Sequence, residues 1–114
     1  MATFTRVVLS GAADGKAVKV EATATAGTTI HTAHATSLDE VWLWAFNSHT
    51  ADVVLTIEFG GATAPDQNIV QTIPKNAGLV CVVPGLILTN SLTVKAFAGT
   101  TNVVTLSGYI NRIS

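Results

Sequence analysis

Apolar residues in this chain recur at every second position, and no window sustains an apolar period of about 3.6 residues over three turns. Alternation is clearest from Ala51 to Phe59. Ala51, Val53, Leu55, Ile57 and Phe59 face one way, and Asp52, Val54, Thr56 and Glu58 face the other. Successive side chains of a strand point to opposite sides of its sheet, so this is the pattern of a half-buried strand. The same logic, with enrichment in Val, Ile and Thr, marks Phe4–Ser10, Ala17–Ala24, Thr28–Ala33, Glu40–Phe46, Asn68–Ile73, Leu79–Val83, Leu86–Leu88, Leu92–Ala98 and Asn102–Arg112 as strands.

The connections read as turns. Ala12-Ala13-Asp14-Gly15 carries an Asp-Gly signal, and Asn47-Ser48-His49-Thr50 has the length of a hairpin loop. Gly60 to Asp66 is the longest irregular stretch and is expected at the surface. Pro74 to Gly78 reads as a corner, and Pro84-Gly85 as a break between two strands. Many short strands at regular spacing predict an all-β fold, an antiparallel β-sandwich of about eight or more short strands. A jelly-roll-like arrangement ranks first, because it distributes that number of strands over two sheets; an immunoglobulin-like sandwich ranks second. Residues 1–114 read as one domain, without repeat or linker.

Glu40 to Phe46 departs from simple alternation. Trp42, Trp44 and Phe46 lie on one side and Val41, Leu43 and Ala45 on the other, so past Glu40 neither face is polar. In a sandwich one face of a strand meets the core and the other ordinarily meets water. The second apolar face here must be covered, by a long loop or by another subunit. Composition favours the subunit: charged residues are 11% of the chain, less than half the usual fraction of about 25%. Trp42, Trp44 and Phe46 are therefore the expected subunit-interface residues.

The six basic residues are scattered, so no stripe tracks a phosphate backbone and nucleic-acid binding is not expected. No apolar run approaches the roughly 18 residues of a spanning helix, and no basic segment precedes a long apolar one at the start, so neither a membrane span nor a secretory signal is expected. The single cysteine, Cys81, sits in Leu79-Val80-Cys81-Val82-Val83 and is expected as a small buried hydrophobe in a reducing compartment.

No reactive constellation assembles. His31 and His34 are three apart on a strand and point to opposite faces, which argues against joint metal ligation; an ion gathered on a symmetry axis by one of them stays open. Asp39 and Glu40 diverge for the same reason and read as the polar start of a strand rather than as an acid–base pair. Asp66 reads as a turn residue. No serine has a Gly-x-Ser-x-Gly context, and no phosphate-binding glycine loop opens a helix. Trp42 and Trp44 would form a sugar-stacking platform if exposed, against a core or interface role. Neither catalytic residues nor cofactor or metal sites are expected.

Several stretches carry a family resemblance. Asp39-Glu40-Val41-Trp42-Leu43-Trp44-Ala45-Phe46-Asn47 followed by Leu55 to Gly61, Ile73-Pro74 with Gly78 to Leu86, and the closing run Val103 to Ile113 resemble small virion proteins of tailed bacteriophages, the capsid decoration (cement) proteins. The resemblance covers most of the chain from about residue 39, and its motifs are structural rather than catalytic. It implies a jelly-roll domain, usually homotrimeric, that binds the major capsid protein on the outer surface of the phage head and ties neighbouring subunits together. It implies synthesis in the host cytoplasm, no cofactor and no enzymatic activity. No family contact residue maps position by position. The alternative is a carbohydrate- or receptor-binding sandwich module of a phage tail or fibre.

Overall fold

Among the described residues nine strands and no helix make up the fold: β1 (Phe4–Val8), β2 (Val18–Lys19), β3 (Thr28–Thr32), β4 (Leu38–Asn47), β5 (Val53–Phe59), β6 (Asn68–Ile73), β7 (Val80–Leu88), β8 (Thr93–Ala98) and β9 (Val104–Ile113). The structure is a computed structural model and describes residues 2–114. Among the described residues no helix is long and apolar enough to cross a membrane.

All pairings are antiparallel, and they nest. β5 pairs with β6, β4 with β7, β3 with β8 and β1 with β9, as in one long hairpin whose tip is the loop 60–67. Rolling that hairpin brings β9 beside β4 and β8 beside β5. The result is two sheets, β1-β9-β4-β7 with β2 also on β9, and β3-β8-β5-β6. This is the strand order of a jelly roll: an antiparallel β-sandwich, as the alternating pattern predicts.

The core lies between the sheets. Val41, Leu43 and Ala45 of β4 meet Leu55 and Ile57 of β5, with Val94, Ala96 and Ala98 from β8 and Val104, Leu106 and Ile110 from β9. Each set occupies alternate positions of its strand, so the two-residue periodicity is the direct cause of the core.

Three local expectations are corrected. The stretch Ala17–Ala24 yields only the two-residue β2, because the chain then leaves the first sheet and crosses the outer side of the second. There the Thr25 hydroxyl and the Gly27 N–H donate to the two carboxylate oxygens of Glu58, at 2.9 and 2.6 Å. This crossing leaves Glu58, on the outward side of β5, only 2% exposed. Pro84-Gly85 does not divide two strands; it lies inside β7, which runs from Val80 to Leu88. β7 is an edge strand, so a residue without N–H is tolerated, and the ladder to β4 slips there between Val41 and Trp42. Gly85 has φ +78°, and a Cβ on it would sit 2.7 Å from the Trp42 ring, so both backbone and space demand glycine. The slips in this ladder also turn Cys81 outward, opposite Trp44; the cysteine is exposed, not buried.

Candidate functional site

The face of the first sheet that points away from the core gathers both tryptophans and the tyrosine. Trp42, Trp44 and Phe46 all lie on it, half-buried, while Val41, Leu43 and Ala45 fill the core. Part of the tryptophan surface packs against aromatic neighbours on the same sheet face. Tyr109 of β9 stands opposite Trp42. The rings of Trp42, Trp44 and Tyr109 form a triangle with centroids 6.1–6.4 Å apart and planes within 16–25° of parallel. Such offset, near-parallel packing is a favourable aromatic geometry.

The face extends past this cluster. Phe4 and Val8 of β1, Leu38 of β4 and Ile87 of β7 share its side of the sheet and are exposed, Phe4 to 66%. Its charged groups are few. The Arg6 guanidinium lies 5.4 Å from the Tyr109 ring centroid, a cation–π contact. Glu40 accepts the Trp42 indole N–H at 2.6 Å, and Lys19 on β2 lies opposite Thr105. Glu40 and Asp39 do diverge as adjacent strand residues must: Glu40 belongs to this face, and Asp39 turns inward.

Asp39 is the hub of a buried polar cluster. It has no exposed surface. Arg112 of β9 grips it with two bonds, Nε to Oδ1 at 2.7 Å and Nη2 to Oδ2 at 3.0 Å. The His31 Nε2 donates to Oδ2 at 2.8 Å, and the His34 backbone N–H donates at 3.1 Å. Burial pushes this carboxyl up, but the hydrogen bonds from Arg112, His31 and the His34 N–H, with the attraction of the guanidinium, outweigh it and bring it down to about 2. In return Asp39 raises Arg112 above its ordinary value.

The histidines serve this cluster and its neighbouring loop. His31 is 1% exposed, and its Nδ1 accepts the Ser10 N–H at 3.0 Å. The hydrogen therefore sits on Nε2, and both ring nitrogens are engaged. His34 Nδ1 accepts the backbone N–H groups of Thr36 and Ser37, at 3.1 and 2.9 Å, and so caps the turn before β4. Among the described residues no group of three or more His, Cys, Asp or Glu side chains is placed to hold a metal ion. Ser10, His31 and Asp39 have the residue types of a hydrolytic triad but not its geometry. The Ser10 hydroxyl accepts the Thr32 N–H at 2.7 Å, and the imidazole meets the serine only at its backbone.

A depression of about 200 Å³ on the second sheet is lined by Ala26, Glu58, Gly61, Ala62, Thr93 and Lys95. Its buried carboxylate, Glu58, is already satisfied by Thr25 and Gly27. Asp66 lies exposed in the turn before β6.

Because the Asp39 carboxyl is lowered from 3.8 to about 2, its ionised form favours the folded state. That contribution is complete above the unfolded value and is lost as pH falls through the folded one. We expect urea midpoints of the wild type to fall by an amount worth about 2 kcal/mol between roughly pH 4 and pH 2. In the Asp39→Asn variant this acid-dependent component should be missing.

The class defined by these observations is a jelly-roll β-sandwich with a partly exposed aromatic sheet face and a buried ionic cluster. Compared with known proteins, the chain matches no family model, no curated protein and no solved structure.

Proposed function

We propose that this protein is a non-enzymatic structural component of a virion, a capsid decoration protein that binds the outer surface of a phage head and stabilises it. The observation that carries this reading is the aromatic face of the first sheet: Trp42, Trp44 and Tyr109 ringed by exposed Phe4, Leu38 and Ile87. An apolar face on this scale is suited to a protein partner. The jelly-roll strand order and the resemblance of residues 39–113 to small decoration proteins point the same way. In this reading the face joins copies of the chain into a homotrimer, and loop ends or a terminus meet the major capsid protein. Many weak contacts repeated over a shell then add up, because a trimer engages several capsid subunits at once.

The near-parallel rings also favour a second reading, a carbohydrate-binding module of a tail or fibre, with the rings stacking on sugar faces. One experiment separates the two. Light scattering of dilute protein after size exclusion is expected to give three times the 11.8 kDa chain mass, and the trimer is expected to cosediment with emptied phage heads. A monomer whose tryptophan fluorescence shifts on adding glycans would replace the decoration reading with the second one.

A further inference from the structure

An unpaired sheet edge offers a row of N–H and C=O groups to any strand that approaches, and folded proteins blunt such edges with charge, proline, bulges or a covering segment. Three of the four edges here are blunted. β1 carries Arg6 at its centre. β3 is covered by the segment ahead of it, where the Gly11 N–H donates to the Ile30 carbonyl at 2.9 Å and the Ser10 hydroxyl takes the Thr32 N–H. β7 carries Pro84, Gly85 and two slips of register.

β6 has none of these. Asn68-Ile69-Val70-Gln71-Thr72-Ile73 contains no charge and no proline, and it pairs with β5 through six successive positions without a slip. Its middle is open, with Val70 63% exposed and Gln71 and Thr72 exposed beside it.

The ladder shows which groups are free. The Phe59 N–H donates to the Gln67 carbonyl, so in the alternating antiparallel pattern Ile69, Gln71 and Ile73 bond to β5. Val70 and Thr72 turn their N–H and C=O outward. The Thr72 carbonyl meets only the side-chain amide of Gln71, at 3.4 Å.

We propose that β6 pairs antiparallel with β6 of a second copy about a two-fold axis through Gln71, joining two four-stranded sheets into one. The strand is self-complementary in this register. Val70 of one copy faces Thr72 of the other, and each such pair exchanges two backbone hydrogen bonds. Both residues are β-branched, a favourable cross-strand combination. The two Gln71 side chains meet on the axis. The same register runs the Asp66 end of one copy alongside the Lys75 end of the other, on both sides of the axis. The pairing closes on itself, as a two-fold contact must. It uses the sheet remote from the aromatic face, so it is independent of the virion reading and compatible with association through that face.

The Gln71 pair would be a non-hydrogen-bonded one, with Cα atoms about 4.5 Å apart, inside the range a disulfide spans. In a Cys81→Ser background, Gln71→Cys is expected to give a covalent dimer under mild oxidation. Val70→Cys, whose copies are offset along the strands, is expected to stay largely uncrosslinked. Gln71→Lys opposes two like charges and should weaken the association about tenfold or more while leaving the fold intact. The wild-type Val70 and Thr72 amides should exchange fast when dilute and slowly when concentrated. Equal crosslinking at both positions, or dimerisation of a Trp44→Glu background that Gln71→Lys leaves unchanged, overturns the proposal. Fast exchange of both amides at every concentration also overturns it, and leaves the edge to a strand of another protein.

Discussion

Replacing Asp39 by alanine is expected to cost roughly 3–5 kcal/mol of folding stability, read as a fall in the urea midpoint at neutral pH. The carboxylate satisfies four donors: two from Arg112, one from His31 and the His34 N–H. Its removal strands them unequally. Arg112 is 26% exposed and can turn toward water, whereas the His31 ring and its Nε2–H stay buried. The loss is therefore dominated by an unsatisfied buried donor and by loosening of the links among β3, β4 and β9. Total stability for a domain of this size is about 5–15 kcal/mol, so the variant stands near the limit of folding at all. Asp39→Asn should be nearly as damaging, since an amide offers one acceptor atom where the site presents donors to two. Adding Arg112→Met to Asp39→Ala should recover part of the loss, because it removes the guanidinium left without its partner. A fall of less than about 1 kcal/mol in Asp39→Ala would mean that the cluster does not hold this end of the sandwich together.

Trp44→Glu is expected to weaken self-association roughly thirtyfold or more and to leave the domain folded. Trp44 sits on the outer side of β4 against Trp42 and Tyr109, partly in contact with water. A carboxylate there stays hydrated in the free chain, and becomes an unpaired buried charge when another apolar surface covers it. Leu43→Glu is the contrasting variant. Leu43 is fully buried between the sheets, so its replacement should unfold the chain rather than disperse an assembly. Light scattering and urea denaturation on the two variants separate these effects. If Trp44→Glu unfolds the protein, the aromatic cluster is part of the stabilising packing. If mass and stability are both unchanged, the face is not where copies meet.

Much of the architecture is readable in local pattern. The alternation in Ala51–Phe59 and in Glu40–Phe46 sorts the side chains of β5 and β4 into two sets on opposite faces, and the structure keeps both sets, with Val53, Leu55 and Ile57 and Val41, Leu43 and Ala45 in the core. Pairing is not local in this way. Nothing near Asp39 announces Arg112, which lies 73 positions along the chain. The one readable hint is that Asp39 shares its face of β4 with Val41 and Leu43, and an acid on a core-facing row requires a cation. Tyr109 and Arg6 join Trp42 only because β9 lies between β1 and β4. Pro84-Gly85 misleads for an opposite reason: its residues are strong breakers, but at a sheet edge a missing N–H leaves no ladder bond unmade. Glu58 likewise alternates as a solvent-facing residue until the segment after β2 folds over it.

The position of β9 has a consequence for synthesis on the ribosome. The final strand in chain order is the one that separates β1 from β4, and without it the first sheet exists only as the β4–β7 pair and an isolated β1. Until residues 104–113 have emerged, β4 presents an open edge flanked by tryptophan on one face and aliphatic side chains on the other. Distant pairing of this kind is slow relative to helix formation, and nascent chains side by side on one message would expose this edge to one another for that interval. The yield of properly folded protein should therefore depend on how quickly the last strand is delivered, and chains that stall before it should be the ones that aggregate.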